Sequence, residues 1–332
     1  MKAIRGMAFW GMTRLGIASA VALVLNLTTT PTLAQSSTPG IAAVTLEALR
    51  TPIPPQAFRT PEDGFAALAA AIRAHDEHRL LAVLGEQARA LVRSGDAVAD
   101  RAARELFSTA YATRHEILRP ALDRAVLQVG DDGWPLPIPL VVRGGAWRFD
   151  ARQGVQALVD RRVGLNEFDT VETLREIAKA QAEYARTAGR SGGFRAYARR
   201  FFSMPGQHDG LYWPGEPESP LGPLVAEASA GGYDSRPTGN QPRPFHGYLF
   251  RILEAQGSAA PGGALDYVVD GRLIGGFAVL AWPVQHGVSG VMSFMISHHG
   301  TIWESNLGLD TSRIARGITS FDPGPGWRLV VE

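Results

Sequence analysis

The sequence predicts an α+β protein built from two modules, and three observations carry that expectation. Between residues 60 and 149, apolar residues at helical spacing give way to strand-like runs. From Arg152 to Ala188 there is no proline and a single glycine, Gly164, which predicts a long helix that either breaks near Gly164 or forms the spine of the second module. From Gly247 onward, short apolar runs separated by glycine turns predict a terminal antiparallel sheet. The 332 residues suit about two modules at ~150 residues each.

The N-terminus has its own logic. Lys2, Arg5 and Arg14 precede an apolar run from Gly16 to Leu27, and TTTPTLA follows with Thr32 and Ala34 at small-residue positions. That layout predicts a secretory signal, residues 1–34, cleaved after Ala34. The apolar run is about 12 residues, short of the ~20 a membrane span needs. Removing the three basic residues turns the formal charge of +1 into −2. The expected product is periplasmic or secreted, with no membrane span after signal cleavage. Residues 35–57, rich in Ser, Thr and Pro, read as a disordered linker.

Thr60 can cap a helix, Pro61 suits its first position, and Glu62 and Asp63 suit the positive end of its dipole. A short helix is expected over Arg79–Leu84, stopped by Gly85, and a third over Ala99–His115 with Ala103, Leu106, Phe107, Ala110 and Tyr111 inward. Strands are expected at Ala125–Val129, Leu136–Val142 and Ala146–Phe149, with Gly144-Gly145 as a hairpin turn. Pro135, Pro137 and Pro139 make the middle one an edge strand or an irregular crossing. These elements define an N-terminal α+β module, residues 58–150, and leave 151–332 as a second module whose long helix packs on the terminal sheet. Strands are expected there over Gly247–Leu253, Tyr267–Val269, Leu273–Trp282, Gly290–Ser297, Thr301–Ser305 and Arg328–Val331, with a short helix at Thr311–Arg316.

Several segments carry a family resemblance. Among them are DDGWPLPIPLV (131–141), WRFDARQG (147–154), DGLYWP (209–214), FHGYLFRIL (245–253) and GGFAVLAWP (275–283). Together the chain resembles the bacterial family catalogued as domain of unknown function 2950, which implies no activity. The order of the N-terminal module, with its TPEDGFAALAAAIRAHD opening and WRFD ending, is similar to the cone-shaped nuclear-transport-factor-2-like folds. Residues 164–305 resemble the globular part of type IV pilin-like and pseudopilin-like proteins, through Asn166-Glu167, LREIAKAQAEYA, Gly247-Tyr248, Phe277–Ala281 and Ser293-Phe294. Those proteins carry an apolar assembly helix ahead of this spine. Here Arg152, Asp160, Arg161 and Arg162 stand in its place, so pilin-like polymerisation is not expected.

Composition narrows the chemistry. With 45% hydrophobic and 20% charged residues, the chain is not a disordered one. Near-neutral charge gives no electrostatic reason to expect nucleic acid. Having no cysteine excludes disulfides, thiol catalysis and cysteine zinc sites. His75-Asp76-Glu77-His78 is the densest set of metal-ligand types, but its place at a helix end favours caps and solvated corners. Gly189–Gly193 matches G-x-S-x-G in letters only, because no apolar strand precedes it. Arg195, Arg199 and Arg200 read as the solvated side of a small amphipathic helix.

The unusual aromatic features are Trp134 among its prolines and Tyr212-Trp213-Pro214. Such surfaces can line a groove for a ligand, or plug a core. His246 flanks the terminal strands. Trp134, Tyr212, Trp213 and His246 are therefore the candidate binding residues, with no catalytic, metal or cofactor assignment. The expectation is an exported cell-envelope protein with a non-enzymatic binding or scaffolding role, its envelope partner or ligand and its oligomeric state unspecified. The alternative is a periplasmic small-molecule binder or hydrolase using a pocket in the cone-like module.

Overall fold

Helix α1 (Pro61–Arg73) begins where the local signals place it: Thr60 Oγ1 accepts the Asp63 N–H at 3.1 Å and Pro61 opens the first turn. Its buried side, with Phe65, Leu68 and Ala69, starts a hydrophobic core. These contacts come from a computed structural model, which describes residues 54–331 apart from 192, 216 and 235–242. The signal and most of the linker lie outside the described residues. The last linker residues are tied down, since Gln56 donates its N–H to Ala82 O at 3.0 Å.

Asp76 caps α2 (Glu77–Leu84), which therefore starts two residues earlier than the expected Arg79. A 3-10 turn and α3 (Arg89–Val92) follow, then α4 (Ala97–Thr113), capped by Asp96. Helix α4 turns differently from its apolar pattern. Leu106 is 64% exposed and Ala103 is exposed, while Arg104, Phe107, Ala110 and Tyr111 are half-buried. Arg104 holds that orientation by donating to Glu77 and to Val92 O. Phe107, Ala110 and Tyr111 still pack on the first core, so the stripe is inward in part.

Helix α4 ends before His115, which opens strand β1 (His115–Ala121). Antiparallel to it runs β2 (Arg124–Val129), followed by β3 (Trp134–Pro135), β4 (Leu140–Arg143) and β5 (Ala146–Phe149), in the order β1-β2-β4-β5. The proline segment crosses irregularly, and β4 is interior rather than an edge, because Pro137 and Pro139 fall outside its ladder. Side chains on β2 alternate, with Ala125, Leu127 and Val129 buried. They fill the face toward α1, where Phe65 and Phe149 meet edge to face at 5.5 Å.

Helix α5 (Val155–Arg186) runs through Gly164 without a break. At 32 residues it is about 48 Å long. Its first turns, with Val155 and Val159, belong to the first core, and its last turns, with Leu174, Ile177 and Tyr184, belong to a second. Both cores lie in one compact unit, residues 51–332.

After α5 come a small hairpin, β6 (Arg190–Ser191) and β7 (Phe194–Arg195), and α6 (Gly222–Ala230). The Arg195–Arg200 stretch is not helical. Arg199 instead reaches Glu254 with two hydrogen bonds of 2.7 and 2.8 Å. The second core is organised by β8 (Tyr248–Leu253), then small ribbons β9 (Ala255–Gln256) with β10 (Leu265–Asp266), and β11 (Val268–Val269) with β12 (Arg272–Leu273). Strands β13 (Ala278–Pro283), β14 (Ser293–Ser297) and β15 (Ile302–Ser305) follow, then α7 (Thr311–Gly317) and β16 (Arg328–Leu329). The main sheet is antiparallel, in the order β16-β15-β14-β13-β8.

Helices cover both faces of this sheet. Tyr248 and Arg251 are an odd number of residues apart on β8, so they point to opposite sides. Tyr248 donates to Met292 O, whose own N–H is held by Glu167 of α5. Arg251 donates to the Ala315, Arg316 and Ile318 carbonyls at the end of α7. Burial on both sides explains why β13 and β14 are apolar without alternation and wholly buried.

Candidate functional site

Where the two cores meet, the chain places a polar network. Its centre is Asp96, only 1% exposed. Asp96 Oδ1 accepts the Val98 and Ala99 N–H groups at 3.1 Å each, as a helix cap. Asp96 Oδ2 accepts from the Tyr233 hydroxyl and from the Gly247 N–H, both at 2.9 Å. Four donors on one buried carboxylate keep the charge satisfied. Burial, and after it the Asp96 charge, push the Tyr233 hydroxyl well above its ordinary pKa. Tyr233 is a neutral donor to Asp96, and its oxygen accepts the His246 N–H at 3.3 Å.

Arg162 of α5 makes the second tie. Its guanidinium donates to the Ala90 and Leu91 carbonyls of α3 and to Val288 O at 3.1 Å, and lies 3.7 Å from Asp100. Asp100 also accepts the Ser94 N–H at 3.0 Å. Burial pushes the Asp100 carboxyl up, against its hydrogen bonds to Ser94 and the Arg162 charge. Next along α5, Asn166 donates to Ser289 O at 2.8 Å. Gly247, at φ +74°, passes so close that an added Cβ would lie 2.6 Å from Asn166 Nδ2. Glycine is required there both for its backbone and for the space.

The network opens to solvent at His246. Its backbone is left-handed, φ +48°, which is strained for a residue with a Cβ. Its Nδ1 lies 3.5 Å from Asp169 Oδ2, and both side chains are partly exposed. Phe245 and Tyr233 pack beside the imidazole at ring distances of 4.2 and 5.8 Å. Desolvation pushes the Asp169 carboxyl up; His246 opposes this, and Glu227 and Glu172 add to it. The result is a carboxylate–imidazole pair at the mouth of a satisfied network, suited to exchanging a proton or receiving a polar group.

The sequence candidates do not gather here. Among them His246 stands at the junction. Trp134 is half-buried against the first core. Trp213 is a plug of the second core, its Nε1 donating to Pro217 O at 2.6 Å and its ring stacked on His208 at 4.4 Å. Tyr212 is half-buried and meets Phe202 edge to face at 5.8 Å. Sequence reasoning missed Asp96, Arg162, Asp169 and Tyr233. Asp96 was detectable as a cap after Ser94-Gly95; the others look like ordinary helix or loop residues.

A separate polar depression of about 250 Å³ lies on the N-terminal module, lined by Arg114, Glu116, Gln128, Asp131 and Asp132 with Gly130 and Gly133. Among the described residues, no group of three or more His, Asp or Glu is arranged to hold a metal ion. Nor is any described helix long and apolar enough to cross a membrane.

No curated protein and no solved structure matches the chain. A family described as "Protein of unknown function (DUF2950)" matches over residues 55–330, which takes in both cores, α5 and the polar junction. The chain belongs to the DUF2950 family.

Proposed function

We propose that this is an exported cell-envelope protein that works by binding or scaffolding, with His246 and Asp169 as the polar contact point for its partner. One observation carries the reading. The ionisable groups inside the junction are used up in holding two cores together, Asp96 by four donors and Arg162 by three carbonyls and Asp100, while the His246–Asp169 pair faces outward. The layout of residues 1–34 supports export. The long helix on an antiparallel sheet is the arrangement that the pilin-like resemblance implies, and Arg152, Asp160, Arg161 and Arg162 argue against filament assembly.

The test has two arms. Intact mass of the protein recovered from a fractionated bacterial host should show a chain beginning at Gln35 in the periplasm or medium; a chain beginning at Met1 in the cytoplasm would refute export. Purified protein should then be assayed against ester, phosphoester, amide and glycoside substrates beside His246→Ala. Turnover that the substitution abolishes would refute the non-enzymatic reading.

A second reading rests on the N-terminal depression. Asp131, Asp132, Glu116 and Arg114 around about 250 Å³ suit one small polar, cationic ligand. The inner face of the neighbouring sheet is filled by Leu127, Val129 and Phe149, so this ligand would sit outside the cone. Saturable binding of a small polyamine, lost in Asp131→Asn/Asp132→Asn, would favour it.

A further inference from the structure

Helix α5 buries one side in the two cores and leaves a stripe in solvent. Arg161, Gly164, Leu165, Phe168 and Glu172 are all exposed on it. Two of these are large and apolar: Leu165 is 53% exposed and Phe168 66%. Three residues apart, they are neighbours on the helix surface and form one apolar spot. An added Cβ on Gly164 would meet nothing within 4 Å, so another backbone can come close there.

The spot is framed by opposite charges. Arg161 lies one turn before Leu165, and Glu172 lies one turn after Phe168. The pattern is therefore complementary to itself when reversed. Turning a second α5 end for end sets Leu165 against Phe168 and Arg161 against Glu172, at both ends. A parallel pairing would set arginine on arginine and glutamate on glutamate. Glu172 already bonds Arg175 on its own helix and Arg161 is likewise engaged within the chain, but both Glu172 and Arg161 are exposed and exchange partners at little cost.

We propose that α5 pairs antiparallel with α5 of a second copy, about a two-fold axis passing midway between Leu165 and Phe168. Such an interface is isologous and closed, so it makes dimers and not fibres. A single helix stripe places it in the small, transient class of interfaces. This inference does not depend on what His246 contacts.

Sedimentation equilibrium on the purified product of the full-length chain, from about 1 μM to about 1 mM, tests it. The expected result is a reversible rise from monomer to dimer mass. Phe168→Glu should weaken the dimer about tenfold or more. Arg161→Glu and Glu172→Arg should each weaken it, and the double variant R161E/E172R should recover the wild-type constant. Thermal melts check that each variant is folded, and the charge-swap set decides alone if Phe168→Glu is not. A wild-type chain that stays monomeric overturns the proposal. So does a dimer indifferent to these substitutions, or a double variant no better than the singles.

Discussion

Asp96 and Asp169 flank Tyr233 and His246 at one junction, yet their surroundings differ. Asp96 is sealed from water and accepts four hydrogen bonds from three segments of the chain. Asp169 is open on one side and has the His246 imidazole at 3.5 Å. A carboxylate with every lone pair engaged is a rivet: removing it strands donors that have no water to turn to. A carboxylate with a half-exposed imidazole beside it still has capacity to meet something else. The difference marks where the junction serves the fold and where it meets solvent, the side on which we propose a partner binds.

Four substitutions can break or sharpen that contrast. Arg162→Ala should be the most damaging, about 3–5 kcal/mol in urea unfolding, because it leaves Asp100 buried without its counter-charge and frees three carbonyls. Asp96→Ala should cost about 2–4 kcal/mol, combining a lost cap with stranded Tyr233 and Gly247 donors. Gly247→Ala should cost about 2–3 kcal/mol, from a left-handed backbone and the collision with Asn166. Asp169→Asn should change stability at neutral pH by under about 0.5 kcal/mol. If Asp96→Ala and Asp169→Asn prove equally costly, the contrast fails.

The pH dependence sharpens it further. Asp169 has a raised pKa in the folded chain, so the folded state holds its proton more tightly than the unfolded state. Its contribution to stability therefore falls as pH rises from the ordinary aspartate value through the raised one. Asp169→Asn should remove that fall. Glu77 gives the opposite sign. Hydrogen bonds from Arg93, and then Arg104, hold its carboxyl below the ordinary range despite some burial. Stability from Glu77 is present above the unfolded value and is lost as pH drops through the lowered one. Glu77→Gln should flatten the acid limb by about 0.5–1 kcal/mol.

Parts of the fold were legible because their causes are local. Thr60 acts on a backbone group three residues away and Pro61 through its own fixed backbone, and α1 starts where they direct. The proline-free run made α5 legible as a helix, and Gly164 does not break it because a glycine keeps its own backbone N–H and C=O and costs only about 1 kcal/mol in a helix. Strand β1 was not legible: His115–Ala121 mixes polar and apolar residues without alternation, is mostly exposed and ends in Pro120-Ala121, and it becomes a strand by pairing with β2. Helix α4 was legible in part: Phe107, Ala110 and Tyr111 pack on the first core as their spacing predicts, while Ala103 and Leu106 face solvent and Arg104 reaches Glu77 from 27 positions away. Of the four binding candidates, His246 reached the polar junction. The indole of Trp213 was a better core plug than a ligand platform, because its N–H found a carbonyl inside.

On its own, the amino-acid order settled the α+β class, the Thr60 cap, the helical run that becomes α5 and the succession of strands toward the end. Those follow from dihedral preferences and side-chain spacing within a few residues of each other. Which polar groups meet at the junction was left to tertiary structure. Asp96 and Gly247 are 151 positions apart, and Arg162 and Val288 are 126 apart. No short-range signal joins positions so distant; they meet because two hydrophobic cores bury their faces on one helix and bring the polar seam between them together.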